Sequence, residues 1–298
     1  MFDSNANQGP PSNSMTLGSW DVTIDGVKKK STFGAYLGGG LDLGYRLGDS
    51  QNWQAVADVK FHMLGNENYS LKKSNNRYTQ WYRAGAGLRY ADDRNLVDLR
   101  LKGEVYDYEF GEANVTAAGP ELMYVHALTP SLHLITRAGL ESRDYTGGNK
   151  GSSARNGTYG TAGQYVRIFL GDAPYARQGD HRRHEFLFGA RYLGGSANKT
   201  MYSHDGWEAM ARFGIMLPHK VEIGPYLTFT QEFYHGPATA LETRKRKDER
   251  LGLGLNISWE FAENWTLEAG YQYIKNASNS KLYDYDRHMV NVGVAWRF

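Results

Sequence analysis

Cysteine is absent from the 298 residues, so no disulfide framework, thiolate metal site or cysteine nucleophile can be built. Charge of one sign is missing as well. Lys and Arg number 34 against 32 Asp and Glu, a formal net charge of +2, without the basic excess of a nucleic-acid binder. Long hydrophobic runs are lacking too: no window approaches the roughly 18 apolar residues of a membrane helix. Mean hydropathy is −0.59, which would ordinarily point to water. A barrel strand, however, crosses a bilayer with about ten residues of which every second faces lipid, so its average hydropathy stays low. Met1 is followed by mostly polar residues, with neither the basic start nor the apolar core of a signal peptide. The chain is therefore expected to be a mature or excised piece of an exported precursor.

What is present is alternation with period two, in segments of about 14 residues separated by turn formers. Val290, Val292, Val294, Trp296 and Phe298 share one face, and Asn291, Gly293, Ala295 and Arg297 the other. Trp265, Leu267, Ala269, Tyr271 and Tyr273 likewise oppose Thr266, Glu268, Gly270 and Gln272. Leu251, Leu253, Leu255, Ile257, Trp259 and Phe261 alternate without a break against small and polar residues. Near the start, Leu37, Leu41, Leu43, Tyr45 and Leu47 oppose Gly38, Gly40, Asp42, Gly44 and Arg46, and Trp53 to Met63 repeats the pattern. Further strands are expected near 78–91, 95–109, 113–128, 131–145, 157–170, 183–195, 205–217 and 220–235. Pro120 makes 113–128 the weakest of them.

Connection lengths supply a second signal, because outer-membrane barrels have short periplasmic turns and longer extracellular loops. Short connections fall at Glu263-Asn264, Pro218-His219, Thr129-Pro130, Asp92-Asp93-Arg94 and Gly48-Asp49-Ser50. They alternate with loops at 276–284, 236–247, 196–204, 146–156, 110–112 and 65–77, and 171–182 is the one long member of the periplasmic set. Thirteen strands follow residue 33, and a first strand around 12–24 makes 14, the even number that such barrels normally have. The expected fold is all-β, a transmembrane antiparallel up-and-down barrel with both termini periplasmic. Residues 1–12 would form a lead-in segment and 13–298 the barrel, in the outer membrane of a Gram-negative bacterium, against lipid and lipopolysaccharide. A soluble propeller or solenoid is the competing architecture, but it uses shorter strands and a blade-length repeat that this chain lacks.

The inward face would be wet. It carries Asp42, Arg46, Asp58, Lys60, Arg83, Arg89, Asp98, Arg100, Lys102, Glu104, Arg137, Glu141, Glu208, Arg212, Glu222, Glu232, Glu260 and Glu268. A dry core could not hold so many ions without severe desolvation cost. These are the candidate lumen-lining, transport-related residues, although the same charges could stiffen the wall through cross-strand pairs. Trp53, Phe261, Trp265 and Trp296 are expected at the inner membrane interface, and Tyr69, Trp81, Tyr202, Trp207 and Phe233 at the outer one. Arg244 to Lys247 form a basic loop run that would meet phosphate headgroups or serve solubility.

Catalytic chemistry finds little support. The nine histidines include no His-Glu-x-x-His spacing, and His181 to His184 read as a solvated turn, so neither a metal nor another cofactor is expected. Ser203-His204-Asp205 is the only local cluster inviting a hydrolase reading, but neighbours on a strand point to opposite faces and no Gly-x-Ser-x-Gly elbow is present. No enzyme is expected.

Val294, Trp296 and the terminal Phe298, at two-residue spacing, resemble the signal by which the barrel assembly machinery recognises its clients. More narrowly, Phe2-Asp3-Ser4-Asn5-Ala6-Asn7 resembles the segment leading from tetratricopeptide repeats into the barrel of the surface lipoprotein assembly modulator (Slam) family. The stretch Ser278-Asn279 with Leu282-Tyr283-Asp284-Tyr285-Asp286-Arg287 is similar to the close of those 14-stranded domains. The resemblance implies a periplasmic repeat domain outside this chain and the membrane half of a device that delivers lipoproteins or secreted proteins to the cell surface. Two other readings stay open: an exopolysaccharide exporter, with Tyr36, Tyr106 and Tyr226 stacking on sugars, and a passive porin.

Overall fold

The computed structural model describes residues 2–3, 14–17, 20–23, 32–48, 52–66, 77–108, 114–146, 152–171, 184–239 and 242–296. Three short strands come first: β1 (Phe2–Asp3), β2 (Ser14–Leu17) and β3 (Trp20–Thr23). Thirteen long ones follow. They are β4 (Thr32–Arg46), β5 (Trp53–Asn66), β6 (Arg77–Ala91), β7 (Asn95–Tyr108), β8 (Asn114–Thr129), β9 (Leu132–Thr146) and β10 (Gly157–Leu170), then β11 (His184–Ala197), β12 (His204–Leu217), β13 (Val221–Tyr234), β14 (Lys247–Ala262), β15 (Trp265–Ser278) and β16 (Tyr285–Trp296).

Each long strand pairs antiparallel with its sequence neighbour, so β4 to β16 form one up-and-down sheet. Its two ends are joined through β1: Phe2 and Asp3 pair with Val290 and Met289 on one side and with Phe33 and Thr32 on the other. The place of the first strand is therefore a correction. Among the described residues Ser14–Leu17 and Trp20–Thr23 pair only with each other, as a separate two-stranded sheet, and the segment that pairs with both β4 and β16 is Phe2–Asp3. Two four-residue strands are too short to cross a bilayer, which asks about nine to eleven residues of each.

The core is inverted. Large apolar side chains such as Leu41, Leu43, Leu101, Leu255, Trp259 and Val292 are exposed, while Asp58, Asp98 and Glu104 are buried. Parity explains both at once, since side chains two apart on a strand share a face. A continuous exposed apolar surface of this extent marks contact with something other than water, and alternation all along the wall fits lipid. Among the described residues no helix is long and apolar enough to cross a membrane.

The predicted turns fall between strands. Gly48 has φ +62° and Asn264 φ +66°, the left-handed conformation that tight reversals require and that Gly and Asn tolerate best. Pro120 does not end its strand. It pairs with Leu101 of β7, and the register with β9 passes over Gly119 and Pro120 before resuming in phase at Glu121 and Gly139. A Cβ on Gly119 would stand 1.9 Å from the Leu140 carbonyl oxygen, so the backbones of β8 and β9 crowd beside the missing amide proton of Pro120.

Candidate functional site

Every one of the 18 predicted lumen residues lies on the face opposite the exposed apolar stripe. On the arc formed by β5 to β9 most of them join in one ion-pair network. Asp58 is 1 % exposed, held by Arg100 Nη1 at 2.5 Å and Arg83 Nε at 3.3 Å. Arg100 Nε reaches Asp98 at 2.7 Å, and Asp98 also receives Arg89 at 2.6 Å. From Arg83 the chain continues to Glu104 at 3.8 Å and Glu121 at 3.3 Å. Lys102 Nζ stands among Glu104, Glu121 and Glu141 at 3.4, 3.6 and 3.3 Å, and Arg143 closes the network on Glu141.

Local sequence makes room for this. Arg83, Gly85, Gly87 and Arg89 share the inward face of β6, and a Cβ on Gly85 would lie 2.8 Å from Asp58 Oδ1. The carboxylate therefore rests where a side chain is missing, directly between its guanidiniums. Such charges tolerate burial because each has partners of opposite sign.

The opposite arc carries separate pairs. Arg191 meets Glu208 at 2.9 Å, Arg212 meets Glu222 at 2.8 Å, Arg250 meets Glu232 at 3.2 Å, and Lys220 contacts Glu260. On β4 and β5, Asp42 and Lys60 are 3.8 Å apart. Arg46, Arg137 and Glu268 have no ion-pair partner among the described residues. Several lumen charges escaped the sequence reading: Glu121, Arg143, Arg167, Glu185, Arg191, Asp248 and Arg250. Their parity with predicted neighbours, such as Glu141 for Arg143, was the signal that would have found them.

Aromatic placement is mixed. Trp53, Phe261, Trp265 and Trp296 are exposed on the apolar face near the short turns, and Trp207 and Phe233 near the long loops. Trp81 is a correction: it shares parity with Arg83, and its Nε1 donates to Glu104 at 3.4 Å, so it lines the interior. Tyr202 is another, lying in a loop under the Arg155 guanidinium at 5.1 Å. Of the proposed sugar-stacking rings, Tyr106 donates to Glu104 at 2.9 Å. Tyr226 lies over Gly254, where a Cβ would come within 2.1 Å of the ring, so one of its faces is already covered. Tyr69 and the side chain of Tyr36 lie outside the described residues, as do Phe298 and His181 to Arg183.

At the long-loop end the basic run divides. Arg246 is buried, with its guanidinium 3.5 Å from the centre of the Tyr234 ring and 3.7 Å from that of Tyr283, and it pairs with Asp248 at 3.1 Å. Lys247 pairs with Glu249 at 2.7 Å, which leaves Arg244 and Lys245 exposed. Asn279 Nδ2 donates to the Lys245 carbonyl at 2.8 Å and Ser280 Oγ donates to Glu242 at 2.7 Å, so two neighbouring loops are fastened together.

Ser203 does not reach His204. Its hydroxyl is bonded to the backbone of Ala197, while His204 Nε2 faces Glu232 at 3.6 Å and Asp205 contacts Tyr192 and His235. Among the described residues no group of three or more His, Asp or Glu side chains is gathered to hold a metal.

Comparison with known proteins gives one family. The sequence model described as "Surface lipoprotein assembly modifier" matches residues 1–298. No curated protein matches significantly. Among solved structures, the translocator domain of the autotransporter NalP from Neisseria meningitidis is 18 % identical, covering 89 % of this chain and 82 % of that one, with a TM-score of 0.33. Pseudomonas aeruginosa OccD3 (OpdP) is 11 % identical, covering 90 % and 88 %, with a TM-score of 0.38.

Proposed function

Since this chain belongs to the surface lipoprotein assembly modifier family, we propose that it is the membrane pore of an export system delivering lipoproteins to the cell surface. The observation that carries the reading is the inverted wall: an apolar outer face and an interior of paired charges, on a chain whose whole length matches that family. In this reading the strands seal into a 14-membered cylinder in the outer membrane, with β1 as the closing member and the short turns in the periplasm. The 18 inward charges keep the lumen hydrated, and cargo passes as an extended polypeptide. Val294 and Trp296, exposed at the end of β16, serve with Phe298 as the signal for the barrel assembly machinery. Lipopolysaccharide lies against the outer face, and a periplasmic repeat domain presents the cargo.

Deletion of the gene tests this directly. Protease shaving of intact cells should then leave at least one lipoprotein protected that wild-type cells expose, and return of the gene should restore its cleavage. An unchanged surface lipoprotein profile sinks the proposal. Loss of matrix polysaccharide in its place would move the assignment to sugar export.

A further inference from the structure

On the inner wall between β6 and β11 lies a cavity of about 390 Å³, with five cationic side chains and three carboxylates in its lining. The three carboxylates, Glu104, Glu121 and Glu141, are each already shared between two cations. Arg137 is left over. It is exposed to the cavity and has no ion-pair or hydrogen-bond partner among the described residues. Arg137 pairs across β9 and β10 with Gly163, and Gly163 pairs across β10 and β11 with Arg191. Two guanidiniums thus flank a position with no side chain. A Cβ there would meet Arg191 Cβ at 2.6 Å, so the floor between them must stay bare backbone. Tyr159, Tyr165 and Trp81 supply ring surface around the same space.

We propose that this cavity binds acidic side chains of an extended polypeptide, with Arg137 receiving the carboxylate and Arg191 flanking it across the Gly163 gap. A guanidinium offers paired N–H donors that match a carboxylate, and a cavity of this size falls at the lower end of the range for small-ligand sites, enough for one or two side chains. Arg191 is itself paired with Glu208, so the one uncompensated charge of the lining is that of Arg137, which attracts an acidic side chain, and the rings accept the neighbouring residues without demanding a sequence. This rests on the export reading and names the feature of the cargo that the lumen recognises.

The test uses the purified chain in detergent micelles and a fluorescently labelled peptide of alternating Glu and Ala, with a Gln–Ala peptide as control, read by anisotropy at low salt. The acidic peptide should bind about tenfold more tightly than the control, and Arg137→Gln should remove about that factor. Arg137→Lys, which keeps the charge but loses the paired donors, should restore only part of the binding. Because Arg137 has no ion pair to break among the described residues, folding is preserved, and heat-modified gel migration checks it. Equal binding of the two peptides, or unchanged affinity in folded Arg137→Gln, overturns the proposal, as does tighter binding of an oligogalacturonate than of the acidic peptide. The readout is independent of cells: intact surface display beside absent peptide binding rejects the cavity alone, and intact binding beside an unchanged shaving profile in the deletion strain rejects the export reading alone.

Discussion

Asp58 shows how much one residue holds. Its carboxylate is buried, and both its guanidinium partners lead on to other carboxylates, so removing it unbalances the arc from β5 to β9. Asp58→Ala should cost about 3 kcal/mol, because a buried charge set loses its counter-ion. The midpoint of the heat-modified gel shift in detergent measures this, and an unshifted midpoint would mean that water already solvates the site. Gly254 makes the complementary case. Tyr226 occupies the space where its side chain would be, so Gly254→Val should cost about 2 kcal/mol by displacing the ring, with little change at Gly103, where nothing stands within 4 Å.

At the scale of elements, strand parity and turn chemistry make separate predictions. Leu255 and Asn256 are neighbours on β14, one on the apolar face and one inward. Leu255→Arg should cost roughly 3 kcal/mol in a bilayer, whereas Asn256→Arg should cost under about 1 kcal/mol. Refolding titrations in lipid vesicles compare the two, and equal costs would deny that the faces differ. In the turn between β6 and β7, Asp92 accepts the backbone N–H groups of Arg94 and Asn95 at 2.8 and 2.7 Å, together with the Asn95 side-chain amide. These bonds, with the Arg94 amide foremost, lower its pKa from 3.8 to about 2. Because the folded value lies below the unfolded one, the contribution is present above pH 3.8 and is lost as pH falls through about 2. Asp92→Asn should flatten stability against pH in that window, and a carboxyl titrating near its ordinary value by NMR would contradict the turn.

For the whole molecule, the reversal of inside and outside is the decisive property. Mass-average hydropathy hides it, since lipid-facing and lumen-facing residues cancel. The purified chain should stay dispersed only with detergent or lipid and show a β-dominated circular dichroism spectrum. A detergent-free monomer, or a mainly helical spectrum, would deny the architecture. The sheet's two ends meet only through Phe2 and Asp3, in contrast to the eleven to fourteen residue pairs joining most other neighbours, so the seam is the least reinforced part of the described wall.

The thirteen long strands and their apolar face were legible from alternation, which also put the 18 charges on the opposite parity, because a period of two ties each side chain's direction to its position in the chain. The short turns were legible from length and from Gly48 and Asn264. What only the tertiary structure decided is which charges meet. Asp58 and Arg100 stand 42 positions apart, and Arg137 is left over only because its neighbours' carboxylates are spent on other cations. Trp81 and the first strand were misplaced for one reason: closeness to a membrane edge or to the chain start says nothing about parity or about the partner across the sheet. Register between strands is a long-range property, fixed when backbones pair, and it makes a row of separate charges into a network with one cation to spare.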